Sequence, residues 1–180
     1  MPDRPILTVG HSTRPIEQFL ELLRAHGVTR LVDVRTVPRS RHNPQYDRAN
    51  LPGSLTAAGI AYEWMPGLGG LRRPRPDSVN TGWRNSSFRG YADYMQTPEF
   101  AQQLDELIAR AGDERVAIMC AEAVPWRCHR SLIADALLAH GIETAEISSA
   151  TRTTPHRLTR FARIEDHRVT YPPAQGDLLA

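Results

Sequence analysis

The chain has 180 residues, 41% of them hydrophobic, and two cysteines, which is enough for one buried core and too few thiols for a disulfide scaffold. Its formal charge of +2 excludes a strong general attraction to nucleic acid. Every Lys/Arg position is arginine, which excludes a Schiff-base lysine, a pyridoxal anchor and a Walker-type phosphate-binding lysine, because each needs a primary amine.

No apolar run approaches the roughly 20 residues of a membrane span. The N-terminal stretch carries Asp3 and Arg4 where a signal peptide needs apolar residues, so a cytoplasmic protein is expected. Ile6 to Val9 reads as a short buried strand, followed by a turn at Gly10-His11-Ser12-Thr13 and a helix with Pro15 in its first turn. Phe19, Leu20, Leu22 and Leu23 give that helix one apolar face, Gly27 closes it, and Leu31 to Val34 is a second strand. Two strands joined by such a helix form a right-handed parallel βαβ unit.

The polar stretch from Thr36 to Pro44 is a loop, Leu51 to Ala58 a short helix capped by Asn50, and Ile60 to Trp64 a third strand. Residues 65–88, rich in glycine, proline and arginine, form a long loop expected to act as a lid or binding segment. A helix starts at Thr97-Pro98-Glu99, buries Phe100, Leu104, Leu107 and Ile108, and stops at Gly112. Arg115 to Met119 is a fourth strand, His129 to His140 a helix and Glu143 to Ile147 a fifth strand. Thr154-Pro155 opens a last short helix, and residues 172–180 form a frayed tail. The expected architecture is α/β: a single three-layer domain over residues 1–180, with a mainly parallel sheet of about five strands flanked by helices.

In open parallel sheets, ligands bind beyond the carboxyl ends of the strands. His11 follows the first strand, Asp33 and Arg35 end the second, Glu63 and Trp64 end the third, and Cys120 and Glu122 follow the fourth. Cys120 leads into a loop and then a helix; a helix N-terminus favours an anion and lowers a nearby thiol pKa. Cys120 is therefore the candidate nucleophile, with His11 and Glu122 for proton transfer. Arg35, Arg41, Arg127, Arg130, Trp83, Arg84 and Tyr91 are candidate substrate-binding residues, and Asp33, Cys128 and His129 candidate supports. No cofactor is called for. The partner expected is a small anionic ligand, nucleotide-like or sulfur-bearing.

The strand-loop-helix around Cys120 resembles the layout of rhodaneses and cysteine phosphatases, and Asp33-Val34-Arg35 resembles a rhodanese strand. Cys120 to Arg127 is one residue longer than the phosphatase Cys-x5-Arg spacing, and Glu122 inside the loop would repel phosphate or sulfate, so neither activity is carried over. A wider match joins Val9-Gly10-His11-Ser12-Thr13, Val32-Asp33-Val34-Arg35 with Pro38 and Ser40-Arg41, Leu68-Gly69-Gly70, Gly90 to Met95, and Cys120-x-Glu122-x-x-Pro125-x-x-Cys128-His129-Arg130. This set resembles the family of domain of unknown function 488. The resemblance implies an intracellular α/β protein with these residues at its site and implies no reaction.

Two other classes stay open. Cys120, Cys128, His129 and His11 are zinc-ligand types, although the Cys-x7-Cys-His run lacks the tight Cys-x2-4-Cys knuckle and adjacent Cys128 and His129 on a helix point about 100° apart. Arginines between Arg39 and Arg48 and between Arg72 and Arg89, interleaved with Tyr46, Trp64, Trp83, Phe88 and Tyr91, would suit a nucleic-acid-binding or nucleic-acid-processing protein.

Overall fold

The computed structural model describes residues 2–174. The strands β1 (Ile6–Gly10), β2 (Arg30–Asp33), β3 (Ala61–Trp64), β4 (Val116–Cys120), β5 (Thr144–Ser149) and β6 (Arg152–Pro155) form one sheet in the order β3-β2-β4-β1-β5-β6. The first five run parallel, and β6 pairs antiparallel with β5. A hairpin of β7 (Arg163–Glu165) and β8 (Arg168–Thr170) stands apart from it. No helix among the described residues is long and apolar enough to cross a membrane.

Period-two alternation sorts the central strands between two cores. Val116, Ile118 and Cys120 of β4 join Val32 and Val34 in the core covered by α3 (Ser86–Tyr94), α4 (Pro98–Asp113) and α5 (Arg130–Ala139). Ala117 and Met119 point the other way, with Leu7, Val9 and Leu31, into the core covered by α1 (Ile16–Ala25) and α2 (Leu51–Ala57). The result is a three-layer α/β fold. The chain leaves β1 through α1 on one face and leaves the neighbouring β4 through α5 on the other, so β1 and β4 flank a topological switch point, where such sheets open a crevice.

Three local expectations are corrected. The stretch read as loop up to residue 88 is helical from Ser86, because Asn85 Oδ1 accepts from the amides of Ser87 and Phe88 and caps α3. Gly112 does not stop α4, which continues to Asp113. Thr154-Pro155 opens no helix. It lies in β6, an edge strand, where a proline without an amide proton costs no ladder bond. Of the expected frayed tail, residues 175–180 lie outside the described residues, while Tyr171 just before it is buried and gives its hydroxyl to Asp135.

Candidate functional site

At the carboxyl ends of β2 and β4 lies a cavity of ≈ 360 Å³. Arg35, Thr36, Val37 and Arg39 line it from the segment after β2, and Cys120, Ala121, Glu122, Arg127, Cys128 and His129 from β4 and the loop after it. Gly70, Leu71, Ser87, Phe88 and Tyr91 close the far wall. Of the residues expected at the site, Arg35, Cys120, Glu122, Arg127, Tyr91, Cys128 and His129 reach this cavity.

The loop carrying Cys120 is shaped by β1. The amides of His11 and Ser12 donate to the carbonyls of Cys120 and Ala121, both at 3.0 Å, continuing the β1–β4 ladder past the end of the strands. A Cβ on Gly10 would lie 1.9 Å from Glu122 O, so only glycine lets the loop cross here. The loop then makes one turn of 3-10 helix at Pro125–Arg127 before α5.

Arg130, wholly buried at 0% exposure, ties the thiol to the loop. Its Nη1 donates to Cys120 Sγ at 2.6 Å and to Glu122 O at 2.5 Å. Its Nη2 donates to Ala123 O at 3.2 Å and to Glu146 Oε1 at 2.7 Å, and its Nε to Glu146 Oε2 at 3.3 Å. Thr8 Oγ1 holds the same carboxylate from β1. Every guanidinium nitrogen is thus engaged by the protein, and Arg130 has no donor nitrogen left for the ligand clamp expected of it. The formal charge beside the sulfur comes from this side chain.

Burial pushes the Cys120 thiol up, but the hydrogen bond from the Cys128 thiol and the charge of Arg130 outweigh it, and the net direction is below the ordinary cysteine value. Cys128 moves the opposite way: its hydrogen bond to Cys120 and its burial hold the proton well above the usual thiol range. One proton leaves this pair early and the other late. His129 Nε2 donates to Val34 O at 2.9 Å, which leaves Nδ1 as an acceptor 3.6 Å from Cys128 Sγ. Burial lowers its pKa to about 4 against the pull of the Val34 carbonyl, so the ring is neutral near pH 7.

His11 and Asp33 do not line the cavity. His11 is buried, stacked on Tyr46 at 4.1 Å between centroids, and gives Nδ1–H to Ser12 O; burial lowers its pKa to about 4. Its Nε2 is buried without a partner among the described residues. Asp33, fully buried, accepts from Arg35 at its amide (3.1 Å), Nε (2.9 Å) and Nη2 (2.7 Å) and from the Tyr62 hydroxyl (2.6 Å), the pairing a buried carboxylate requires. Arg35 Nη2 also reaches Tyr46 O, but Nη1 is buried with no acceptor among the described residues.

The long loop meets the cavity through Gly70 and Leu71, and Thr36 Oγ1 bonds Gly70 O at 2.9 Å. Farther along it is pinned by Asp93, which accepts from Arg75 N, Ser78 Oγ and Asn80 Nδ2. Trp83 packs against Phe88, Phe161 and Tyr171 and does not line the cavity, and neither do the exposed Arg84 and Arg41. Aromatic groups considered for base stacking are largely taken: Tyr46 is buried, and Arg48 covers the Trp64 ring at 4.4 Å. No group of three or more His, Cys, Asp or Glu side chains that could hold a metal ion occurs among the described residues.

Arg39 and Phe88, considered only for nucleic-acid contact, line the cavity, as does Leu71, which was not among the expected site residues. Leu71 offered a signal only in structure: a large apolar side chain, 79% exposed, at φ 59°, a combination that costs both hydration and backbone energy.

The pattern defining the family described as Domain of unknown function DUF488 matches residues 15–137. The chain belongs to this family. The DUF488 match takes in β2, the Asp33–Arg35 pair and the whole segment from Cys120 to Arg130, leaving β1 and Glu146 outside. No curated protein and no solved structure matches the chain.

Proposed function

We propose that this DUF488 protein is a small enzyme that acts on an anionic substrate through the thiolate of Cys120. One observation carries the reading: Cys120 lines a cavity at the strand ends, and a buried guanidinium donates to its sulfur at 2.6 Å. A thiolate is the nucleophilic form of cysteine, and a fixed cation beside it keeps that form at neutral pH.

Arg130 is a positioning residue, since its contacts are all with the protein. The anion goes to Arg35, whose Nη1 needs an acceptor, and to Arg39 and Arg127 at the cavity edge. Phe88, Tyr91, Val37 and Leu71 supply apolar wall, which suits a ligand with an apolar body as well as a charged group, and the volume is of the size that holds a small metabolite or mononucleotide. Glu122 is the cavity's carboxylate and is exposed, so of the two groups considered for proton transfer it keeps the role and His11, outside the cavity, does not. Sγ attacks the electrophilic atom of the substrate, the leaving group departs with a proton from solvent or Glu122, and water or a second substrate releases the covalent product.

Alkylation by iodoacetamide across a pH series tests this reading. Cys120 should be modified first, with a midpoint below that of an ordinary cysteine, while Cys128 stays protected in the folded protein. Equal, slow labelling of both thiols would remove the nucleophile and leave Cys120 as packing at the end of β4. Cys120→Ser should abolish any turnover found in a screen of phosphorylated and sulfur-bearing metabolites.

A further inference from the structure

Cys128 is held beside the nucleophile by contacts that a packing residue does not need. Both cysteines line the same cavity, and Arg130 touches each sulfur, through Nη1 to Cys120 at 2.6 Å and through its backbone amide to Cys128 at 3.5 Å. Arg130 thus holds both thiols against one side chain and its own backbone, and each thiol shifts the protonation of the other. His129 Nδ1, an acceptor because Nε2–H is committed to Val34 O, faces the Cys128 sulfur at 3.6 Å. Between the cysteines the chain is a loop in which Ala121, Glu122, Ala123, Trp126 and Arg127 are exposed, so the sulfurs can close to the ~2.05 Å of a disulfide by loop adjustment without moving a strand.

We infer that Cys120 and Cys128 form a dithiol redox pair in which Cys128 resolves an oxidised Cys120 to an intramolecular disulfide. The inference rests on the reading of Cys120 as a thiolate and adds a second reacting atom to it. With a hydroperoxide as oxidant, the Cys120 thiolate attacks the distal peroxide oxygen, the O–O bond breaks, and alkoxide or hydroxide leaves to take up a proton as alcohol or water. Cys120 is now a sulfenic acid, two electrons oxidised. The Cys128 sulfur then attacks Cys120 Sγ, the S–O bond breaks, and the Cys128 proton departs with the hydroxyl as water. His129 orients the Cys128 thiol during this step. Two equivalents of a low-molecular-weight thiol return the pair to the reduced state and leave as their own disulfide.

The assignment also accounts for the opposed protonation of the two thiols. A resolving cysteine held protonated does not compete for the oxidant, and it becomes nucleophilic when Cys120 loses its negative charge.

The full chain, reduced and freed of reductant, is exposed to hydrogen peroxide, quenched with iodoacetamide and mapped by mass spectrometry, with dimedone included in a parallel sample. Wild type should lose both free thiols together, yield one linked peptide pair containing Cys120 and Cys128, show little dimedone adduct, and regain both thiols with dithiothreitol. Cys128→Ala and Cys128→Ser should instead accumulate the dimedone adduct and then sulfinic acid at Cys120; circular dichroism checks that each is folded, and the wild-type map needs no variant. Sulfinic acid at Cys120 of wild type with Cys128 still alkylated by iodoacetamide, or a disulfide only between chains, would overturn the pair and leave the Cys120 nucleophile standing. A Cys120 inert to both peroxide and iodoacetamide would overturn the pair and the nucleophile together.

Discussion

Two buried arginines stand at the same edge of the sheet on opposite faces, each against a carboxylate, and they differ in how completely the protein uses them. Arg130 gives its guanidinium to Cys120, two loop carbonyls and Glu146. Arg35 gives Nε and Nη2 to Asp33 and Tyr46 O and keeps Nη1 without an acceptor. Burying a charge is tolerable only when it is paired and hydrogen-bonded. By that measure the Arg130 cluster is satisfied by the chain itself, whereas the Arg35 cluster leaves one donor without an acceptor among the described residues. On the proposed reading, the first is the group that prepares the nucleophile and the second the group that receives the ligand, a distinction that residue type alone does not make.

The sharpest way to break the comparison is Arg130→Met. Glu146 would lose its buried cation and the carbonyls of Glu122 and Ala123 their donor, at a cost of about 3–5 kcal/mol in urea unfolding. The double variant Arg130→Met/Glu146→Leu should recover much of that loss, because an apolar pair removes the uncompensated charge. Cys120 alkylation should stay at the rate of an ordinary thiol in both variants. Recovery of stability together with a fast-reacting Cys120 would show that Arg130 does not set the thiolate.

Acid compares the two faces through one histidine on each. Burial lowers both His11 and His129 from 6.5 to about 4. Between those values the unfolded chain binds the proton and the folded chain does not, so stability falls as pH drops from about 6.5 toward 4, by a few kcal/mol in all. Below about 4 both states are protonated and this contribution is gone. Urea midpoints measured across that window should decline, and His11→Asn or His129→Asn should each flatten the decline; slopes unchanged in both variants would assign the acid sensitivity to carboxylates.

A smaller effect is expected on the Arg35 side. Tyr62→Phe removes one of the donors to Asp33 and leaves those of Arg35, so the loss should be about 1.5 kcal/mol. At the edge of the cavity, Arg39→Ala should change stability by less than about 0.5 kcal/mol while weakening a bound anion, read as a lost thermal shift with phosphate, sulfate or a nucleoside monophosphate. Arg41→Ala and Arg84→Ala are the controls, since both residues are exposed and neither lines the cavity.

The strands were legible because β1, β2 and β4 are short apolar runs bounded by turn residues, and a helix between parallel strands permits few topologies. Helix α3 was hidden by a long proline- and glycine-rich approach and by Gly90 within it, although Asn85 and the spacing Phe88, Tyr91, Ala92, Met95 carried the signal. The site was legible to the level of the rim and no further. Cys120 and Asp33 both end strands, but each strand turns its side chains alternately, and these two residues fall on opposite faces. The saturation of Arg130 could not be read either, since Glu146 reaches it from β5, brought there by the pairing of β1 with β5.

The placement of β1 also sets a timetable. It is made before the other strands yet lies in the middle of the sheet, with Leu7 opposite Ala117 on one side and Ala145 on the other. As the chain leaves the ribosome from its N-terminus, β1 must wait for both neighbours with its edges unpaired, and closure over so long a separation is slow. Gly10, which moulds the cysteine loop, is present from the start, but Cys120, Arg130 and Glu146 arrive in that order. Until Glu146 has emerged and β5 has docked, the cation beside the sulfur is not locked in place. On the proposed reading of Cys120, the nascent protein therefore carries an ordinary thiol, and the nucleophile is switched on only when the sheet is assembled.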